Sequence, residues 1–271
     1  MTAPSLVLFA SGSTDDHVAK VVHTLRKRMQ TMRPSLDIQL AFLGRCEPTC
    51  LQVGAALASA DRQEAVFVPL DVTRVHSASA AAAGALEELR GRYPSMSFQL
   101  ARPLGPAGEL LSVVDLRLRQ ALSARHADEL DGLVFAVPDC GDPRGNALIH
   151  RRARQWRAHH KLPVQLAYAD GSGQGVTSAV SALRAQGRRS IAVGFFYLDA
   201  DHLYAAQADL AREAGAIAVS APLGDDVRLL DLAMSRYSVA AMDLLDSAGP
   251  TRTGFKDVSG GEVINSVGAE N

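Results

Sequence analysis

The sequence predicts an α/β protein of two similar lobes, each a mainly parallel sheet flanked by helices, with a cleft between the lobes. Short apolar runs rich in β-branched and aromatic residues alternate with helix-like stretches, a pattern typical of parallel sheets with crossover helices. Marker segments recur about half a chain apart, which indicates an internal duplication. The length of 271 residues also favours two lobes over one.

The first lobe is predicted to span residues 1–125 as four strand-helix units. A turn with helix-capping residues follows the first apolar run, and apolar residues at helical spacing come next. The predicted strands are Ser5–Ala10, Leu36–Leu43, Glu64–Leu70 and Met96–Ala101, and the predicted helices are Asp16–Met32, Cys50–Ala60, Ser77–Arg92 and Glu109–Ala124.

The second lobe is predicted to span residues 130–246, because the same markers return there in the same order. The matching pairs are Leu6–Ala10 with Leu133–Val137 at an offset of 127, Gln39–Phe42 with Gln165–Tyr168 at 126, and Pro103–Gly105 with Pro222–Gly224 at 119. The run Glu64–His76 likewise returns as Ser190–His202. Residues 247–271 are rich in Gly, Ser and Thr and are predicted to form a flexible tail.

Charge and composition restrict the classes of partner. The formal net charge is −1 and the pI is about 6.7, so neither nucleic acid nor an anionic membrane is an expected partner. The N-terminal apolar run has six residues and no basic region before it, which predicts neither a signal peptide nor a membrane span and favours a cytoplasmic protein. Three cysteines are expected to be free thiols. A monomer and a homodimer both remain open.

Two histidines are the leading functional candidates, since ligands of parallel sheets bind at the carboxyl ends of the strands. His76 and His202 each follow the third strand of a lobe, 126 residues apart. A neutral imidazole takes up a proton near pH 7 or binds a first-row metal, but a loop histidine also often serves only as a local hydrogen-bonding group. The neighbouring Asp71, Asp199 and Asp201 are either partners of these rings or ordinary loop carboxylates.

Other motifs give weaker evidence of a functional site. Cys46 and Cys50 lack the second ligand pair of a zinc site, and Cys140 precedes a helix without a visible base. No GxGxxG or P-loop motif occurs, so no nucleotide cofactor is expected. The arginine-rich helix from Arg144 to Arg157 either reaches ligand carboxylates or is a solvated face.

Several segments resemble the class II tetrapyrrole chelatases of the CbiX type, the sirohydrochlorin cobalto- and ferrochelatases. The resemblance covers about residues 4–240 and includes LVLFASGSTDD, QLAFLGRCEPT, FVPLDVTRVH and LARPLG in the first lobe, with GDPRG, FFYLDADH and SAPLG in the second. It implies a chelatase-like fold and the insertion of a divalent metal, Co, Fe or Ni, into a tetrapyrrole of siroheme or cobalamin biosynthesis. The metal is then a substrate and the tetrapyrrole the small-molecule partner.

The resemblance also implies roles for individual residues. His76 falls at or next to the family's second histidine, and His202 takes that place in the second lobe. Glu47 matches the acidic residue of the family's Glu-Pro-Ser/Thr turn. These matches predict His76 and Glu47 as catalytic residues and His76 and His202 as metal ligands. The loops after the strands add the predicted substrate contacts Ser11, Ser13, Arg45 and Asp142.

The chain departs from the family at the first histidine. Ser11 occupies that place in the first lobe and Pro138 in the second. Serine is a poor ligand for borderline divalent ions and a poor base at neutral pH, so a strict two-histidine mechanism is excluded. Either other groups take over, or the protein is a non-catalytic tetrapyrrole- or metal-binding paralogue. A sugar- or nucleotide-binding protein that shares only the architecture is a third reading.

Overall fold

The computed structural model describes residues 3–12, 16–44, 46–127, 129–139 and 141–248. Strands and helices alternate throughout this part of the chain, as predicted. The first half contains β1 (Ser5–Ser11), α1 (Asp16–Met32), β2 (Ile38–Leu43), α2 (Cys50–Ser59), β3 (Glu64–Pro69), α3 (Ala80–Arg92), β4 (Ser97–Leu100) and α4 (Gly108–Ala124). The second half contains β5 (Gly132–Val137), α5 (Pro143–His160), β6 (Val164–Tyr168), α6 (Val176–Ala185), β7 (Ile191–Phe195), α7 (His202–Glu213), β8 (Ala218–Val219) and α8 (Val227–Ala248).

The strands form two four-stranded parallel sheets of the same order, which confirms the predicted fold class. The first sheet has the order β2-β1-β3-β4 and the second β6-β5-β7-β8. Their registers correspond: Phe9 pairs with Pro69 in one sheet, and Ala136 pairs with Phe195 in the other. The predicted tail, residues 247–271, lies outside the described residues except for the end of α8.

The inner strands are buried on both faces, as their continuous apolar runs predict. In β1, Leu6 and Leu8 point into a core shared by the two sheets, whereas Val7 and Phe9 pack against the outer helices. The strand β5 alternates in the same way. Because side chains of a strand alternate between its faces, each sheet contributes one face to a common central core.

The last helix of each half of the chain packs on the sheet of the other half. Helix α4 packs on β7 and β8, and α8 packs on β3 and β4. The two halves are therefore interlocked. The boundaries 1–125 and 130–246 remain a prediction about folding units, since α4 and α8 each cover the sheet of the other half.

Two arginines stabilise this exchange of helices through hydrogen bonds to the opposite half of the chain. Their positions repeat the duplication found in the sequence. On α8, Arg236 donates through its Nε to the carbonyl oxygen of Pro103 and through a terminal nitrogen to that of Leu104, both at 3.0 Å. On α4, Arg117 donates to the carbonyl oxygen of Leu223 at 3.2 Å. The arginines and the leucines are each 119 residues apart, the offset already found for the Pro-Leu-Gly segments.

Replacing Arg236 with methionine is expected to lower the free energy of unfolding by about 2 kcal/mol. The change keeps the packing of the stem but leaves two carbonyls without their charged donor. Urea unfolding monitored by circular dichroism measures the effect. Arg62→Met, which removes a partly exposed ion pair with Asp37, is the control, with an expected loss of about 0.5 kcal/mol or less. Equal losses of unfolding free energy in the two variants would show that the hydrogen bonds of Arg236 do not stabilise the packing of α8.

Candidate functional site

A cavity of about 200 Å³ opens where the strands of both sheets end. The topology of parallel sheets places a ligand site at this edge, and here the two halves of the chain share it. Its wall consists of the carboxyl ends of β1, β2 and β3, the loops after β3, β5 and β7, and the start of α3: Phe9, Ala10, Ser11, Leu43, Pro69, Leu70, Asp71, Val72, Thr73, Ser79, Ala82, Pro138, Asp139, Tyr197, Leu198, Asp199 and Asp201.

Carboxylates dominate the polar part of this wall. Asp71 comes from the first half of the chain, and Asp139, Asp199 and Asp201 come from the second. Burial raises the pKa of the Tyr197 hydroxyl strongly, and the negative charges of Asp201, Asp139 and Asp170 raise it further. The cavity therefore has a negative potential that attracts a cation.

Thr73, in the cavity wall, joins the two halves of the chain. Its buried hydroxyl lies 2.6 Å from Oδ1 of Asp139 and 3.0 Å from Oδ1 of Asp71. A hydroxyl has one proton to donate, so only one of these contacts is a hydrogen bond at any moment. Asp71 Oδ1 also accepts from the backbone N–H groups of Thr73 and Arg74, which fixes the loop after β3.

Asp142 connects the same loop to α5 through hydrogen bonds. Its Oδ1 caps the helix by accepting from the N–H of Gly145 at 2.6 Å, and its Oδ2 accepts from the N–H groups of Val75 and His76 at 2.9 and 3.0 Å. Burial acts to raise the pKa of this carboxyl, but these three backbone donors outweigh it and hold the pKa below its ordinary value. Asp142 therefore joins the two halves beside the cavity, and its predicted role as a substrate contact stays a prediction.

Replacing Asp142 with alanine is expected to cost about 1–2 kcal/mol of unfolding free energy at pH 7, the typical loss for a helix cap. Because the pKa of the folded state lies below that of the unfolded chain, this stabilisation is present above about pH 4 and disappears as the pH falls through the folded-state pKa. Urea unfolding of both proteins between pH 7 and pH 3 checks this. A difference that grows on acidification would contradict the assignment.

The two predicted histidines lie beside the cavity wall, not in it. His76 is exposed, and its Nε2 lies 3.0 Å from a terminal nitrogen of Arg144, so its lone pair accepts from that guanidinium. His202 is the exposed first residue of α7, directly after the capping residue Asp201. The loop before α3 has ten residues, 70–79, and the loop before α7 has six, 196–201. Equal spacing in sequence therefore does not give the histidines equivalent positions in the fold.

The remaining predicted site residues are dispersed. Ser11 ends β1 and lines the cavity. Glu47 is exposed and accepts a hydrogen bond from Gln52 at 3.0 Å, beside the capping box that starts α2. Ser13 and Arg45 lie outside the described residues. Their roles, and that of Glu47, stay predictions.

Several residues that the sequence indicated line the cavity, among them Asp71, Asp199 and Asp201, but Thr73 and Tyr197 were not predicted as site residues. The signal for Thr73 was a hydroxyl two residues after Asp71, a spacing typical of a carboxylate-closed turn. Tyr197 carried no such signal, because its aromatic run FFY is typical of a buried strand. Its hydroxyl donates to the carbonyl oxygen of Val137 and remains beside the cavity.

Of the described cysteines, Cys50 is a poor candidate for thiol chemistry. Cys50 is a buried free thiol, and burial, aided by the charge of Glu88, raises its pKa to about 12. A thiol with that pKa is neither a nucleophile nor a ready metal ligand at pH 7. Cys140 lies outside the described residues.

None of the helices in the described part of the chain combines the length and apolar composition needed to cross a bilayer.

The fold and the site together define an α/β protein in which two interlocked parallel-sheet halves deliver carboxylates from their strand ends to a shared cleft. Residues 5–121, in the first half of the chain, match the model of the CbiX family. No curated protein sequence matches the chain.

Solved structures share the fold along most of the chain. SirB from Bacillus subtilis with Fe3+ is 15% identical, with a TM-score of 0.71 over 89% of this chain and 96% of its own. The sirohydrochlorin chelatase SirB from Bacillus subtilis subspecies spizizenii in complex with cobalt is 14% identical, with a TM-score of 0.70 over 90% and 97%. CbiX, described as the terminal enzyme of siroheme biosynthesis in denitrifying bacteria, is 17% identical, with a TM-score of 0.58 over 87% and 99%.

Proposed function

We propose that this protein is a sirohydrochlorin-type chelatase that inserts a divalent metal, cobalt or iron, into a tetrapyrrole. The observation that carries the proposal is the cavity at the strand ends, where carboxylates from both halves of the chain face one space, in a chain whose residues 5–121 match the CbiX family. The structural relatives support it, since one is a sirohydrochlorin chelatase with cobalt and another holds Fe3+.

The reaction requires groups that hold a metal and groups that remove protons. One divalent ion and a free-base tetrapyrrole give the metallated ring and two protons, which leave the two N–H groups that the metal replaces. Carboxylates serve both purposes, because an ionised carboxylate is a metal ligand and accepts a proton once its metal has moved to the ring nitrogens. Asp71 and Asp139, which approach the same hydroxyl of Thr73, are the pair we assign to these steps.

Oxygen ligands also suit a site that binds its metal only transiently. A chelatase has to release its metal to the ring, and oxygen donors bind cobalt and iron less strongly than imidazole does. Carboxylates spread over the cavity wall therefore suit a metal that is a transient substrate. In this proposal they replace the histidine that is absent at Ser11 and Pro138.

The size of the cavity indicates how the ring binds. Pockets that enclose a drug-sized ligand have volumes of about 300–1000 Å³, so the 200 Å³ found here accepts one edge of a macrocycle and leaves the remainder outside. Two arginines are assigned to the peripheral carboxylates of the ring: Arg74, whose Nε lies 3.5 Å from Oδ2 of Asp71 in the cavity wall, and Arg144, which contacts His76. His76 positions Arg144 in this scheme, and its direct binding of metal remains the alternative prediction.

A non-catalytic tetrapyrrole- or metal-binding paralogue is the second candidate. The observation in its favour is that the described wall of the cavity contains no histidine. Such a protein would keep the cleft and the arginines but lack an efficient base for the ring protons.

Anaerobic incubation with sirohydrochlorin and Co²⁺, Fe²⁺ or Ni²⁺, followed by visible absorption, tests the proposal. We expect metallation with at least one ion to be faster than in the protein-free control. Metallation no faster than the control would reject the enzyme. Titration with the free-base and the metallated ring then separates the candidates, because binding without turnover supports the paralogue and the absence of binding rejects both.

A further inference from the structure

A second group of metal-binding side chains lies outside the cavity, where α4 meets α5. Asp115 on α4 and His159 and His160 at the end of α5 bring one ligand atom each within 4.8 Å of one another. Among the described residues, this is the group of three histidine, cysteine or acidic side chains that meets this spacing. We propose that it binds a borderline divalent cation such as Zn²⁺, Co²⁺ or Ni²⁺, at a site separate from the chelatase cleft.

The centre of the group is a buried carboxylate. Asp115 is 9% exposed, and its Oδ1 lies 2.6 Å from Nε2 of His160 and 3.4 Å from the indole nitrogen of Trp156. Its Oδ2 pairs with Arg119 at 2.5 Å. The Arg119 side chain is 65% exposed, so it can turn into solvent and release this oxygen when a cation binds.

The donor set determines which cation fits. Two imidazoles and one carboxylate are the three protein ligands of many four-coordinate zinc sites, in which water takes the fourth position. Ca²⁺ and Mg²⁺ prefer oxygen ligands throughout and do not suit a site with two nitrogens. A cavity of about 280 Å³ borders both Asp115 and His159 and gives an ion and its water a route to the ligands.

The position of the group gives the cation a structural consequence. Helix α4 ends the first half of the chain and packs on the sheet of the second half, and α5 is the first helix of that second half. An ion held by Asp115 together with His159 and His160 therefore cross-links the two helices. A cation that binds only the folded protein raises its stability in proportion to the logarithm of ion concentration.

The chain supplies its own probe of this site. Trp156 is the only tryptophan in the sequence, its ring lies 5.6 Å from that of His160, and its nitrogen contacts Asp115. Paramagnetic Ni²⁺ bound to the group is expected to quench its fluorescence. Tag-free protein stripped with EDTA is titrated with Ni²⁺ alone, in parallel with three variants, His159→Ala, His150→Ala and Asp139→Asn.

We expect saturable quenching in the wild-type protein and at least a tenfold weaker apparent affinity in His159→Ala. His150 is an exposed histidine on the same helix, so His150→Ala is the matched control and should titrate like the wild type. Asp139→Asn alters the cleft and should also leave the quenching unchanged, which separates this site from the proposed chelatase site. Absence of saturable quenching in the wild type, or equal affinity in His159→Ala, would overturn the proposal.

A second measurement does not depend on fluorescence. Zn²⁺ is expected to raise the melting temperature of the wild type and of His150→Ala, with the increase largely lost in His159→Ala. Because His159 is exposed and lies in the last turn of α5, its replacement is expected to leave the apo fold intact. A Zn²⁺-dependent increase of the same size in all three proteins would contradict binding by this group.

Discussion

Asparagine in place of Asp139 is expected to slow metal insertion by about 10²–10⁴-fold, the typical contribution of a positioned acid or base. Asparagine keeps an oxygen that can accept from the hydroxyl of Thr73 and the N–H of Gly141, so the loop should retain its conformation. The variant loses the negative charge that binds the metal and the site that takes up a ring proton. Initial rates of sirohydrochlorin metallation under anaerobic conditions measure the effect.

The matched control for this variant is Asp209→Asn. Asp209 is an exposed aspartate on α7 that pairs with Arg212 and lies outside the cavity wall. It makes the same chemical change on the same half of the chain, and we expect its rate to equal that of the wild type. An Asp139→Asn enzyme that also runs at the wild-type rate would show that this carboxylate takes no part in the reaction.

The second large effect is expected at Gly145, where alanine should destabilise the protein by about 3 kcal/mol. A Cβ built at this buried position lies 1.9 Å from the carbonyl oxygen of Thr73 and 3.3 Å from Oδ1 of Asp142. The carbonyl belongs to the backbone of the loop after β3, so it cannot turn aside without moving that loop. Alanine therefore forces α5 away from the loop and opens the contact between the two halves of the chain. Urea unfolding at pH 7 measures the loss.

Gly84→Ala is the control for the glycine substitution. Gly84 lies on an exposed face of α3, and an added Cβ there has no heavy atom within 4 Å. Alanine is expected to stabilise the protein by about 1 kcal/mol through its higher helix propensity. If Gly145→Ala were no less stable than the wild type, the close approach of α5 to the loop would not be a feature of the folded protein.

The fold was largely readable from the sequence because two strong signals agreed. Buried strands appear as continuous apolar runs, and the Pro-Leu-Gly segments repeat at a fixed offset with a left-handed glycine in each, at Gly105 and Gly224. The exchange of α4 and α8 between the sheets was not readable in this way. An apolar helix face indicates that a sheet is covered but not which of two similar sheets it covers.

The site was predicted less completely for a different reason. Spacing alone aligned His76 with His202, but loops of unequal length set one histidine in a loop and the other at the start of α7. Asp71, Asp199 and Asp201 were noted only as neighbours of the histidines, whereas the structure places them on the cavity wall together with Asp139. Contacts across the halves, such as that between Thr73 and Asp139, join residues 66 positions apart and leave no local pattern.

Cobalt binding compared between two double variants tests the role of the cleft carboxylates most directly. Calorimetric titration with Co²⁺ is performed in the His159→Ala background, so that the group at α4 and α5 does not contribute. We expect the Asp71→Asn, Asp139→Asn protein to bind at least tenfold more weakly than its parent, and the His76→Ala, His202→Ala protein to bind as the parent does. Loss of binding in the histidine variant with unchanged binding in the aspartate variant would contradict this assignment.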